Sequence, residues 1–148
     1  MKLIFTSSQS ALSKAIRGVT GEDCSHVAIL DGNWIIHSNL RGVNVDYAPE
    51  FLKHCTVEHS LDFDGSMVYP TLESKAHSFY DVGALLFDGL CLLTRHYLKI
   101  PLPKSNLWQS SGMYMCTEWA QLVLGLKIDS MITPHGLYNQ LKDTNVSQ

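Results

Sequence analysis

Short runs of apolar and β-branched residues predict a small sheet in the first half of the chain. Residues 3–5 (LIF) predict one strand, and residues 56–62 (TVEHSLD) alternate like a strand with one solvated face. Residues 25–30 (SHVAIL) and 34–38 (WIIHS) flank Asp31-Gly32-Asn33, which is a strong signal of a β-hairpin. The pattern therefore predicts a small antiparallel sheet that contains this hairpin.

Apolar residues at helical spacing occupy much of the remaining chain. One helix is expected to begin near Ser8 or Ser10 and another to end at Gly125, because serine favours helix starts and glycine favours helix ends. Two prolines within residues 100–106 predict a loop. The predicted helical segments are residues 11–17, 49–53, about 73–96, 116–124 and 134–141. This order predicts a single α+β domain over residues 1–148, with the small antiparallel sheet packed against helices.

Composition narrows the class of protein. The 148 residues are 45% hydrophobic and 17% charged, which is the range of one globular domain. A net charge of −3 without any run of Lys or Arg argues against a nucleic-acid partner. Residues 1–7 lack the apolar stretch of about 7–15 residues that a signal peptide needs, and residues 82–93 are shorter than the roughly 18–20 that cross a bilayer. We expect a protein made in the cytoplasm without a transmembrane segment, and the oligomeric state stays open.

The hairpin brings two histidines close together. A turn at Asp31-Gly32 would pair His26 directly with His37, and a turn at Gly32-Asn33 would set the two diagonal on the same face. A three-residue loop would separate them across the sheet. Two solvated surface rings are one explanation of such a pair. The other is a general base whose second ring nitrogen is held by an orienting partner, and this explanation requires a nucleophile.

Cys116 is the best candidate nucleophile. It stands in the first turn of a predicted helix, where backbone N–H groups and the helix dipole lower the pKa of a thiol and could stabilise an oxyanion. The preceding residues 110–112 (SSG) supply a flexible approach. A core thiol is the competing explanation, because free cysteine is often buried and Cys116 continues an apolar stripe through Ala120 and Val123.

The remaining cysteines and histidines offer weaker chemistry. Cys24, Cys55 and Cys91 are interpreted as structural thiols, since none stands at a helix start and no C-x-x-C pair is present. A zinc site could draw on a cysteine together with His26, His37, His54 and His59, but no standard ligand spacing supports it, so we expect no metal and no cofactor. Surface or capping positions are expected for His77, His96 and His135.

Three stretches of the chain carry a family resemblance. They are CSHVAI (residues 24–29), WIIHSNLRGVNVDYAPEFL (34–52) and YMCTEWAQLVLGL (114–126), with further likeness in residues 12–29 and 132–141. These segments resemble the permuted branch of NlpC-type papain-like peptidases and amidases, a branch related to the lecithin retinol acyltransferase family. The resemblance covers most of the chain apart from about residues 58–111.

The resemblance implies a role for each of the three candidate residues. His26 matches the general base in an S-H-V-G-I type motif, His37 the orienting residue on the next strand, and Cys116 the nucleophile in a C-S/T-E motif. A permuted papain-like fold with the nucleophile at a helix N-terminus is implied as well. Ala28 replaces the usual glycine of the motif, and His37 stands where many peptidase members have Glu. A second histidine at that position is typical of the lecithin retinol acyltransferase relatives.

The resemblance also implies an activity. We expect a cysteine hydrolase of bacterial or phage type that cleaves a peptide bond in cell-wall peptidoglycan, reached after phage lysis or by dedicated export. One alternative is a thiol acyltransferase or a lipid or ester deacylase, for which the apolar residues between 85 and 92 could line a channel. Another is a non-catalytic module that binds a wall peptide or a protein partner.

Overall fold

Five antiparallel strands form the sheet that supports the candidate site. The computed structural model describes residues 1–75, 114–129 and 131–145. In this part of the chain the strands are β1 (Lys2–Ser8), β2 (His26–Asp31), β3 (Trp34–Asn39), β4 (Gly42–Tyr47) and β5 (Cys55–Asp62). The helices are α1 (Ala11–Thr20), α2 (Ala48–Leu52), α3 (Val68–Lys75), α4 (Cys116–Val123) and α5 (Pro134–Asn145). The predicted α+β class, with a small antiparallel sheet and several helices, is confirmed.

The strand order β4-β3-β2-β1-β5 makes β2 the central strand. Its register with β3 pairs Asp31 with Trp34 and Ile29 with Ile36, so the hairpin turn is Gly32-Asn33. Gly32 has φ +56°, a conformation that glycine adopts without steric cost. Continuing this register sets His37 opposite Ala28 and diagonal to His26. The direct His26–His37 pairing expected from a turn at Asp31-Gly32 does not occur, but both side chains lie on one face.

Both faces of the sheet are covered by apolar side chains. On one face, Ile4, Ala28 and Ile35 pack against residues of α2, including Ala48 and Phe51. The larger cluster on the other face joins Leu3, Phe5, Val27, Ile29, Ile36 and Val43 to Val68, Trp119, Ala120, Val123 and Leu137. Two-sided burial explains why β2 is nearly continuous in apolar residues rather than alternating.

Local signals explain where two of the helices start and stop. Ser10 caps α1, because its hydroxyl accepts a hydrogen bond from the Ser13 N–H at 3.2 Å. Helix α1 ends at Thr20, three residues after the predicted end at residue 17, and Gly21 follows it with φ +72°. The carboxylate of Glu118 caps α4 by accepting the Met115 N–H at 2.9 Å. Gly125 follows the end of α4 with φ +65°, as predicted.

Several features differ from the sequence predictions or lie beyond the described residues. Strand β4 was not predicted, although Val43 and Val45 alternate with polar residues in it. Helix α3 begins at Val68, ahead of the helical pattern noted from residue 73. No helix in the described ranges has the length and apolar character needed to traverse a bilayer. The predictions that fall outside the described residues concern residues 76–96, 100–106 and 110–112, including His77, Cys91 and His96.

Candidate active site

A chain of hydrogen bonds links three polar side chains on neighbouring strands. The Nε2 atom of His26 lies 2.8 Å from Nδ1 of His37. The Nε2 atom of His37 lies 3.0 Å from Oδ2 of Asp46. Because these residues belong to β2, β3 and β4, the chain crosses the sheet from its centre towards one edge. The proximity of the two rings that the hairpin predicted is therefore present, with Asp46 as an additional member.

The partners determine where the protons lie on the two rings. The Asp46 carboxylate can only accept, so His37 Nε2 must carry a proton and donate it. His37 Nδ1 is then the acceptor for the N–H at His26 Nε2. The amide of Asn39 also lies 3.2 Å from His37 Nε2, but the bond to the charged carboxylate is shorter and stronger. It follows that His26 Nδ1 carries the free lone pair and is the nitrogen able to accept a proton.

Apolar surroundings keep both imidazoles neutral. The ring of Phe51 lies with its centroid 6.4 Å from that of His26 and 5.1 Å from that of His37. Burial, together with the neighbouring His37 ring, lowers the pKa of His26 to about 3. Burial also lowers the pKa of His37, and the Asp46 hydrogen bond and charge offset part of that effect. A neutral His26 at neutral pH is in the form that a general base requires.

The backbone before β2 holds His26 in place. The N–H of Ser25 donates to the Thr6 carbonyl oxygen at 2.9 Å. The Ser25 hydroxyl shares a 2.7 Å hydrogen bond with the hydroxyl of Ser13 in α1. Since Ser25 directly precedes His26, these bonds attach the first residue of β2 to β1 and α1.

Cys116 is the first residue of α4, as the sequence predicted. Its helix packs on the sheet through Trp119 and Ala120, which are buried beside Val27. The Ser38 hydroxyl on β3 donates to the carbonyl oxygen of Tyr114 at 2.7 Å. This bond ties the segment before Cys116 to the strand that carries His37.

The structure brings Cys116 close to the backbone of the histidine strand rather than to the rings themselves. The amide of Val27, the residue after His26, interacts with the Cys116 sulfur. Cys116 belongs to the apolar cluster on the α4 face, whereas the His26 ring contacts Phe51 on the α2 side. No hydrogen bond from the sulfur to either ring is found among the described residues. Catalytic hydrogen bonds are often long in a free enzyme and tighten when substrate binds.

Burial reverses the expected effect of the helix start on Cys116. The sequence predicted a lowered thiol pKa, but the residue is only 7% exposed. Burial raises the pKa of Cys116 to about 11, and this outweighs the lowering by the amides of Val27, Thr117 and Cys116 itself. The prediction of a lowered pKa is therefore wrong for the free protein, in which the sulfur is a neutral thiol.

Glu118 is an acidic residue in the first turn of α4, two positions after Cys116. Its carboxylate is fully buried and turns back to bind the Met115 N–H, and it makes only the smallest contribution to the raised pKa of Cys116. A negative charge this close opposes thiolate formation. Glu118 therefore stabilises the helix start that carries Cys116 and also favours its neutral thiol.

Two pockets flank His26. The larger, of about 480 Å³, is lined mainly by polar residues, including Ser7, Ser25 and Glu50, as well as by His26. The smaller, of about 210 Å³, has His26 and His37 beside Leu12, Ile16 and Leu40. His26 thus lines both pockets.

Sequence reasoning missed two residues that shape this site. Asp46 determines the proton positions, and Phe51 provides the apolar wall of both rings. The alternation in residues 42–47 (GVNVDY) was the available signal for Asp46, because it predicts a strand after the hairpin. Of the other described thiols, Cys24 is buried just before β2 and Cys55 begins β5, so neither stands at a helix start.

Comparison of the chain with protein-family models, with curated proteins and with solved structures finds no match.

Slow alkylation of Cys116 is expected in the free protein at pH 7. A thiol pKa of about 11 instead of 9.0 leaves about 100-fold less thiolate, the form that reacts with iodoacetamide. Peptide mapping by mass spectrometry measures the rate for each cysteine, with the same chain unfolded in urea as the free-thiol reference. Complete alkylation near pH 6 would instead show a thiolate–imidazolium pair.

Proposed function

We propose that the protein is a cysteine hydrolase of permuted papain-like fold, which cleaves an amide bond in a peptide such as those of bacterial cell-wall peptidoglycan. The observation that carries the proposal is the directed chain from Asp46 through His37 to His26. This chain leaves a free lone pair on His26 Nδ1. Cys116, at the start of α4, interacts with the amide that follows this histidine.

The first half of the reaction forms an acyl-enzyme. As the Cys116 sulfur attacks the carbonyl carbon, its proton passes to His26 Nδ1. The carbonyl oxygen becomes an oxyanion, to which the Cys116 backbone N–H donates. When this intermediate collapses, the C–N bond breaks and His26 returns the proton to the leaving amine. The product is a thioester between the acyl group and Cys116.

The second half of the reaction restores the enzyme. A water molecule gives a proton to His26 and attacks the thioester carbonyl. The C–S bond breaks, the carboxylic acid is released and Cys116 regains its proton. During both halves His37 and Asp46 hold the protonated His26 ring, since the Asp46 charge favours a positive charge in the chain.

The neutral resting state suits a proton transfer that accompanies attack. With the pKa of Cys116 raised to about 11 and that of His26 lowered to about 3, the free protein holds a thiol and a neutral imidazole. Charge then develops only when substrate is bound and the Cys116 N–H receives the oxyanion. We therefore expect the Cys116 sulfur to attack the carbonyl carbon and to lose its proton to His26 in the same step.

The larger pocket supports a peptide as substrate. Its volume of about 480 Å³ lies within the usual range of ligand pockets. The exposed polar side chains of Tyr47 and Glu50 along its wall can bond peptide N–H and C=O groups.

The smaller pocket favours a second candidate function, the cleavage or transfer of an acyl ester. Leu12 is 41% exposed and Leu40 is 58% exposed, and both lie with His26 and His37 around this pocket. Exposed apolar side chains beside a candidate base suit an acyl chain. The same Cys116 thioester would form in either case, so the two functions differ in substrate rather than in mechanism.

Parallel incubation with muropeptides and with short acyl esters tests the proposal. Mass spectrometry is expected to show cleavage of a muropeptide amide and an acyl adduct on Cys116, absent from Cys116→Ser. Ester cleavage with intact muropeptides would assign the deacylase function instead. Binding without any cleavage or adduct would contradict both and identify a non-catalytic binding module.

A further inference from the structure

A second cluster of metal-binding side chains lies where three segments of the chain meet. Asp23 stands just before β2, His59 lies on β5, and His135 lies in the first turn of α5. The Asp23 carboxylate binds both rings, with Oδ1 2.8 Å from Nδ1 of His135 and Oδ2 2.8 Å from Nε2 of His59. Cys24, the next residue, directs its sulfur to the same place. The sequence had assigned no partner to His135.

Three different ligand atoms converge in this cluster. A carboxylate oxygen of Asp23, the Cys24 sulfur and a ring nitrogen of His135 all lie within 4.8 Å of one another. Ligand atoms around a tetrahedral zinc ion, at bond lengths of about 2.0–2.3 Å, are about 3.3–3.8 Å apart. The atoms farthest apart would therefore have to approach by up to about 1 Å, and His135 Nδ1 and Asp23 Oδ1, now 2.8 Å apart, would have to separate by about 0.5 Å.

We infer that Asp23, Cys24 and His135 form a binding site for a divalent transition-metal ion of the zinc type. Sulfur, imidazole nitrogen and carboxylate oxygen together are the donor set that Zn²⁺ accepts. A carboxylate and a thiolate balance the two positive charges of the ion. Solvent would supply the fourth ligand, because the side chains of Asp23 and His135 are 45% and 30% exposed.

His59 acts as a positioning residue in this site. Its Nε2 binds the second carboxylate oxygen of Asp23, which leaves the first oxygen directed at His135. The His59 ring stacks on Tyr138 of α5 at 4.1 Å and is nearly parallel to it. Hydrogen-bonded partners of this kind orient a metal ligand and tune its affinity.

Metal uptake would release the proton of the Cys24 thiol to solvent, and the His135 proton would move from Nδ1 to Nε2 so that Nδ1 can bind the ion. Cys24 is fully buried. A bound ion would join the segment before β2 to α5, and so stabilise the folded state.

Cobalt titration of the full-length protein, freed of metal by a chelator, tests the inference. One equivalent of Co²⁺ is expected to bind with intense thiolate-to-cobalt absorption, and Zn²⁺ is expected to displace it. The absorption should disappear in Cys24→Ser and persist in the matched thiol variant Cys116→Ser. His59→Asn is expected to weaken binding about 10-fold.

A thermal measurement keeps the test independent of whether Cys24→Ser folds. Excess Zn²⁺ is expected to raise the Tm of the wild type, and to leave that of His135→Asn unchanged, since this replacement lies at a partly exposed position. Absence of saturable Co²⁺ uptake would overturn the inference. So would uptake without thiolate absorption, absorption that depends on Cys116, or a Zn²⁺ response retained in His135→Asn. Peptide cleavage does not enter these readouts, so failure of the hydrolase proposal would leave the metal test intact.

Discussion

Cys116→Ser and His26→Gln are each expected to lower kcat/KM for the cleaved substrate by about 10⁴-fold, with the double variant no worse than the weaker single variant. The sulfur can attack only as its proton leaves, because the free protein holds a neutral thiol with a pKa of about 11. Without His26 no acceptor is present for that proton, and in Cys116→Ser the hydroxyl that replaces the thiol is a much weaker nucleophile. When two residues act in the same step, removing either one removes nearly the whole contribution of the pair, so removing both adds little.

Steady-state kinetics on the four proteins of this cycle provide the measurement. Lys2→Gln, at an exposed position on β1, serves as a control for general effects of substitution. Additive losses would contradict the pairing of Cys116 with His26. Full activity of His26→Gln would contradict its role as base.

A smaller loss of kcat is expected when the proton positions in the hydrogen-bonded chain of Asp46, His37 and His26 are changed. Asp46→Asn allows the amide nitrogen to donate to His37 Nε2, which would reverse both rings and remove the free lone pair from His26 Nδ1. Because the Asp46 side chain is half-exposed, we expect kcat to fall on the order of 100-fold, below the effect of removing a buried orienting carboxylate. An unchanged kcat would show that His37 orients His26 without Asp46.

Alkaline pH is expected to destabilise the wild type more than Cys116→Ser, by about 2 kcal/mol in the free energy of unfolding between pH 8 and pH 11. Burial raises the pKa of Cys116 from 9.0 to about 11. A raised pKa means that the folded state holds the thiol proton more tightly than the unfolded state does. The stabilising contribution is therefore complete below pH 9 and is lost as the pH rises through 11. Serine does not titrate in this range, so its variant lacks this term.

Urea unfolding at pH 8, 9, 10 and 11 under reducing conditions measures the difference. Only the change with pH is compared, because Cys116→Ser also alters packing at a buried position. Cys55→Ser is the comparison variant: it retains Cys116 and removes a less buried thiol whose pKa burial also raises, so a smaller difference from the wild type is expected. Parallel curves for the wild type and Cys116→Ser would show that the thiol is not protected by burial.

The hairpin illustrates how far local sequence determines structure. Two β-branched runs around Asp31-Gly32-Asn33 were sufficient to predict two paired strands, with both histidines on one face for either two-residue turn and on opposite faces for a three-residue loop. The exact turn was not predictable, because turns at Asp31-Gly32 and Gly32-Asn33 both suit two-residue loops. Only packing on both faces of β2 and β3 distinguishes them, since each residue of slip changes the cross-strand partners.

The helix of Cys116 shows the opposite limit. Its start, its first residue and its terminating glycine followed from the sequence, because caps and helix ends are local signals. The pKa of the thiol could not be predicted in this way, because it depends on burial. The cluster that buries Cys116 contains Trp119 of its own helix but also Val27, which is far away in the chain. The sign of the pKa shift was reversed for that reason.

By itself, the sequence determined the α+β class and most strand and helix positions, and it indicated His26, His37 and Cys116 as candidate site residues. These depend on spacing, on caps and on short motifs, all of which act within a few residues. Only the tertiary structure decided that Asp46 completes the histidine chain, that Cys116 is a buried neutral thiol, and that Asp23 lies between His59 and His135. Such contacts join residues from separate strands and helices. Their hydrogen bonds and burial exist only after the sheet has brought those segments together.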